Sequence, residues 1–152
     1  MQTKLRWASI VLFSAVSLFL LWFGLTYATV HNMLWFHAAA VPAAAREAVR
    51  PLYFALMTLI GGASGALGLL GAWVIALPLR QGVAGAGTAL AGAYVLVFAM
   101  AAITAEKLAK TGAPTSWHIM GVLIAITGAA YAAHIAARRM AAASLLTVTT
   151  GA

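Results

Sequence analysis

The chain of 152 residues is 64% hydrophobic and 7% charged, with a mean hydropathy of +1.01 and a formal net charge of +7. Soluble domains carry about 25% charged residues, so too few charges are present to build a water-facing surface, and lipid must cover most of the outside. The nine basic residues sit singly or in pairs at the ends of apolar runs, which excludes a nucleic-acid footprint, and the lack of cysteine excludes disulfides and thiolate chemistry.

The first apolar run extends from Trp7 to about Thr29 behind Lys4 and Arg6, an opening like that of a secretory signal. Its core exceeds the roughly 7–15 residues of a signal h-region, so a retained membrane helix is expected. Next comes HNMLWFH, residues 31–37, which opens a loop from Val30 to Arg50. Pro42 breaks this loop, AAAREAVR (43–50) has high helix propensity, and Pro51 suits the first position of a helix; a short helix on the membrane surface is predicted between the two prolines. The second run, Leu52 to about Leu77, contains GGASGALGLLGA, in which Gly61, Gly65, Gly68 and Ala72 form one small-residue stripe. The third, Val83 to Ala105, follows a short LRQG turn and opens with Gly85, Ala89, Gly92 and Ala93. In lipid, close backbone approach supplies the packing that hydrophobicity cannot, so the second and third runs are predicted to pack as an antiparallel hairpin through these faces. Small faces left unused are open to self-association. A second loop, Glu106 to Trp117, leads to the fourth run, Ile119 to about Ala137.

Each run is roughly the 20 residues that a bilayer-spanning helix needs. They are continuous rather than alternating, which rules out strands of a closed barrel. The expected architecture is a single all-α domain over 1–152, an integral membrane four-helix bundle running up-down-up-down. Its spans are 7–29, 52–77, 83–105 and 119–137, with the short interfacial helix in the first outer loop. Lys4, Arg6, Arg80, Arg138 and Arg139 fall on one side, close to the membrane in short segments. Arg46, Arg50, Lys107 and Lys110 share the other side with both acids, Glu47 and Glu106. The positive-inside rule then places both termini in the cytoplasm.

Aromatic residues gather where the spans meet water. Trp22, Tyr27, Trp35, Phe36, Tyr53 and Trp117 lie at the outer boundary, and Trp7 and Trp73 at the inner one. Trp35 and Trp117 are read as belt anchors. No Asp, Glu, Lys or Arg falls near the middle of a span, which argues against a proton pump or a charged midplane transport site. Thr88, Tyr94 and Thr127 near mid-depth read as packing residues whose hydroxyls can bond locally.

Four histidines remain. His134 lies sixteen residues from His118 on one helix, about 24 Å along the axis, so the two cannot share a site. His31, His37 and His118 fall on the outer side, together with Glu106. Three imidazoles with a carboxylate could bind zinc or copper, and a haem between His31 and His118 is conceivable. Two further readings stand beside these: interfacial histidines with no ligand, and contacts to a lipid headgroup or quinone. HNMLWFH and APTSWH are expected to meet, because the first and fourth helices of such a bundle are neighbours.

FALMTLIGGASGALGLLGAWVIALPLRQG, Phe54 to Gly82, and TGAPTSWH, Thr111 to His118, resemble segments of small four-span bacterial inner-membrane proteins. That resemblance implies topology and location in the bacterial inner membrane, and no activity. The function most consistent with the sequence is non-catalytic, an accessory or self-associating subunit with the bilayer, copies of itself or a larger complex as partners. A metal or haem redox protein using the outer histidines and a binder of lipid or quinone are the alternatives.

Overall fold

The computed structural model describes residues 2–150, with side chains described through Ser144, and is helical throughout with no strand among these residues. Helix α1 covers Gln2–Ala28, α2 Trp35–Ala39, α3 Arg46–Val74, α4 Ala86–Ala109 and α5 His118–Thr150. Four helical stretches are long and apolar enough to cross a membrane: Gln2–Ala28, Ala43–Leu79, Ala86–Ala109 and His118–Ser144. The helices overrun the apolar segments. Lys4 and Arg6 lie within α1, and α5 continues past Arg138 and Arg139, because nothing in those flanks breaks a helix.

Two boundaries differ from expectation. AAAREAVR is not a separate surface helix: one 3₁₀ turn at Ala43–Ala45 leads directly into α3 at Arg46, and Pro51 lies inside that helix. The Arg46 side chain donates to the carbonyls of Val41 and Ala38, tying the loop to the start of α3. The short helix of this loop is α2, within the HNMLWFH region. At its other end α3 passes into a π turn, Ile75–Leu79, where Pro78 has no N–H to give to the α-helical ladder. Gly82 (φ 77°) and Gly85 (φ 82°) then take the left-handed conformation that turns the chain into α4.

Packing departs from the predicted hairpin. The small-residue face of α3 lies on α1, and α3 and α4 scarcely touch; α1 also packs along α5, and α4 packs on α5. A Cβ on Gly24 would fall 2.5 Å from the Gly65 nitrogen, and one on Gly61 would fall 2.3 Å from the Ala28 nitrogen. Further along, Gly68 faces Leu21 and Ser17, and Gly71 faces Ser17 and the Tyr94 hydroxyl. Rising numbers on α3 thus meet falling numbers on α1, so the two run antiparallel. The reason α1 wins this face is complementarity: Ser17, Gly24 and Ala28 offer small residues opposite Gly61, Gly65 and Gly68, while Gly85 is used by the turn.

The core is assembled around Phe13, Val16 and Leu20 of α1, Tyr94 and Phe98 of α4, and Leu123 and Ala130 of α5, with Ile75 and Leu79 closing one end. Tyr94 is fully buried, and its hydroxyl lies 2.5 Å from Ser17 Oγ. Ser17 donates its own proton to the Phe13 carbonyl at 3.0 Å. Tyr94 must therefore donate to Ser17, and the buried phenol is satisfied by a relay ending on backbone.

Close backbone approach leaves no room for a methyl group. Gly24→Ala and Gly61→Ala should each destabilise the bundle by about 1–3 kcal/mol, the usual cost of overpacking. Gly62→Ala, with open space before it, should be neutral or gain up to about 1 kcal/mol of helix propensity. Denaturation of the three variants in mixed micelles distinguishes them. In the same assay Tyr94→Phe should cost about 1 kcal/mol, the scale of a hydrogen bond between membrane helices.

Candidate functional site

Of the residues singled out in the sequence, His37 has the most structured surroundings. The loop folds back so that α2 lies over the start of α3. His37 Nδ1 is 3.0 Å from the Tyr53 hydroxyl, which also accepts a hydrogen bond from the Leu34 N–H at 3.1 Å. With the Leu34 N–H already donating to that oxygen, the phenol proton can be given to Nδ1 of an imidazole that carries its own proton on Nε2. The ring is enclosed by Phe36 at 4.4 Å, Tyr53 at 5.6 Å and Tyr27 at 6.3 Å between centroids. Burial among these rings lowers the His37 pKa from its ordinary value near 6.5. The neutral imidazole is the form that fits.

An aromatic ladder connects this cluster to the core. Tyr27 stacks on Phe23 at 4.0 Å, Phe23 on Phe19 at 6.0 Å, and Phe19 meets Phe98 edge-on at 6.2 Å. Spacings of four residues put Phe19, Phe23 and Tyr27 on one stripe of α1.

The other histidines are placed differently. His31 is exposed, and His118 is exposed and stacked on Trp117 at 4.6 Å. Glu106 is exposed at the end of α4. Among the described residues no three His, Asp or Glu side chains converge to hold a metal ion. Trp35 and Trp117 project outward, 70% and 50% exposed. His134 is drawn inward against Gly87, where a Cβ would fall 2.5 Å from its ring.

No known protein family, curated protein or solved structure matches this chain. Function is therefore read from its own surfaces.

Two concave surfaces stand out. One is a notch of about 310 Å³ between α4 and α5, floored by Ala91, Gly92, Thr127 and Gly128. Gly92 and Gly128 have open space before them, so the Gly92 face read as a helix-packing stripe is present but uncovered. At its edge Thr88 and Tyr131 pair through their hydroxyls at 3.2 Å. The other is a groove of about 320 Å³ between α1 and the α3 end, with Arg80 among its lining residues.

Sequence reasoning did not single out the His37–Tyr53 pair. The two residues are sixteen apart and meet only because the loop folds over α3; Tyr53 was visible only as an interfacial aromatic. Protonation of His37 disfavours the closed loop. Its pKa is lowered on folding, so the stabilisation is present above about pH 6.5 and is lost as pH falls through the lower folded value. Amide exchange over residues 31–41, corrected for intrinsic rate, should be faster at about pH 5 than at about pH 7.5. Tyr53→Phe should give fast exchange at both, and equal protection of the native loop at the two pH values would refute the coupling.

Proposed function

We propose that the chain is a multi-pass protein of the bacterial inner membrane, crossing up-down-up-down with both termini cytoplasmic. In this reading it works without catalysis, as an accessory or self-associating subunit that binds a neighbouring transmembrane helix. The notch between α4 and α5 carries the proposal. In a bilayer, helices associate where small residues admit a close backbone and polar groups add hydrogen bonds. Gly92 and Gly128 supply the first on two adjacent helices, and the Thr88–Tyr131 hydroxyl pair supplies the second.

The orientation is supported by the short basic segments at one end. The Arg6 guanidinium donates to the Arg80 carbonyl, which joins the start of α1 to the turn after α3. At the opposite end α2 presents Trp35 outward, as an interfacial helix would.

Filling the notch tests the association. Native mass spectrometry from mild detergent should give species heavier than the 15.7 kDa chain, and their mass identifies a second copy or a different subunit. Gly92→Leu and Gly128→Leu should return the chain to 15.7 kDa, while Gly62→Leu on the open face of α3 should not. A chain that is monomeric after crosslinking in native membranes, or assemblies unchanged by filling the notch, would overturn the reading.

A further inference from the structure

The end of the bundle that carries Arg6 and Arg80 is basic and without acidic side chains. Only two side chains in the sequence are acidic, Glu47 and Glu106. Glu47 lies in the first turn of α3, 3.5 Å from Arg50, and Glu106 is at the end of α4; both belong to the opposite end. Lys4, Arg6, Arg80, Arg138 and Arg139 therefore share one end with no acidic side chain among them. The Arg6 guanidinium donates to the main-chain oxygen of Arg80, which brings these two residues to one place at that end. An end rich in cations and without carboxylates attracts anions.

A groove of about 320 Å³ opens beside this pair, between α1 and the α3 end. Trp7 and Arg80 stand at its mouth, and its walls are mostly apolar, with Ile10, Leu18 and Leu21 on one side and Ile75 on the other. It exists because Ala72 and Ala76 replace large residues where the glycine contacts have ended. The closed end lies where Gly68 meets Leu21. From Trp7 to Leu21 the helix rises about 21 Å at 1.5 Å per residue. A bilayer core is about 30 Å thick, so the groove extends from the Trp7 boundary over roughly two thirds of it.

A slot mostly apolar along its length, with Arg80 at its mouth and Arg6 bound to the Arg80 main chain beside it, suits a molecule with an apolar tail and an anionic head. We propose that it binds an anionic phospholipid, with an acyl chain along α1 and the phosphate held by Arg80, beside which Arg6 adds its charge. Guanidinium groups match phosphate oxygens in a planar, two-pronged geometry, and Trp7 is suited to the headgroup depth. A free phosphate would use the cations and leave the apolar walls uncovered. A zwitterionic lipid would bring its own cation to a place that already lacks anions. The site rests on the placement of the chain in a bilayer, and it is independent of the α4–α5 notch.

The test uses the full chain in nanodiscs of phosphatidylcholine with a minor fraction of phosphatidylglycerol, followed by native mass spectrometry of retained lipid. The wild type should retain one phosphatidylglycerol in preference to phosphatidylcholine. Arg80→Gln keeps the main-chain oxygen that Arg6 uses, and it should weaken retention by about fivefold, the value of one cation at an anionic surface. Ala76→Leu should block the acyl chain and abolish retention of either lipid without changing charge. Arg139→Gln removes a charge from the same end outside the groove and should have little effect. Millimolar inorganic phosphate should not displace the lipid. Equal losses from Arg80→Gln and Arg139→Gln would reduce the effect to general surface charge and overturn the site, as would displacement by phosphate or indifference to Ala76→Leu. Incorporation with no preference between the lipids overturns the site alone, whereas failure to enter any bilayer overturns the membrane reading and the site with it.

Discussion

Everything in this bundle follows from the backbone contact between α1 and α3 at Gly24, Gly61 and Gly65, where no side chain separates the two helices. Two apolar helices in lipid gain little from hiding hydrocarbon, since the solvent is hydrocarbon too. What they gain is dispersion contact and backbone proximity, and these need glycine. With α1 pinned to α3 on one face, its adjacent face of Phe13, Val16 and Leu20 is free to receive α4 and α5. The first helix thus becomes the hub, packed on both α3 and α5.

The same contact shapes both ends of the molecule. Where the glycines lie, the helices are as close as backbones allow. Toward Arg6 and Arg80 the α3 face passes to Ala72 and Ala76, the π turn begins, and the seam opens into the groove. At the other end α1 stops at Ala28, and the chain has to cross to α3 at Arg46. It does so by laying α2 against Tyr53 and anchoring its carbonyls on Arg46. The polar chemistry of HNMLWFH is therefore directed into one local knot, His37 on Tyr53, with His31 left outside it.

Apolar runs and flanking charges located all four long helices, because the requirement for about 20 apolar residues leaves few choices. The stripe at Gly61, Gly65 and Gly68 was equally plain. Its partner was not. A short turn made α4 look like the natural neighbour, yet Ser17, Gly24 and Ala28 at spacings of seven and four were a matching set on α1. The signal was present and was outweighed by adjacency in sequence. Pro51 misled for a different reason: it can open a helix, but it is also tolerated near the start of one already under way. The surroundings of His37 could not have been read at all, since they depend on a loop closing over a helix from outside it.

One consequence lies in how unevenly the bundle is held. Because α3 and α4 scarcely touch, little holds that side of the bundle; the Tyr94 hydroxyl reaches past Gly71 to Ser17 and through it to the Phe13 carbonyl, and so ties α4 to α1 rather than to α3. The turn at Gly82 and Gly85 connects the two helices without clamping them. Mechanically this is a row with an open side: the α1–α3, α1–α5 and α4–α5 seams are packed, and the side between α3 and α4 is left compliant. Changes in lateral pressure or bilayer thickness would be taken up there first, and the compliance would be felt by α4, the helix that forms half of the uncovered notch.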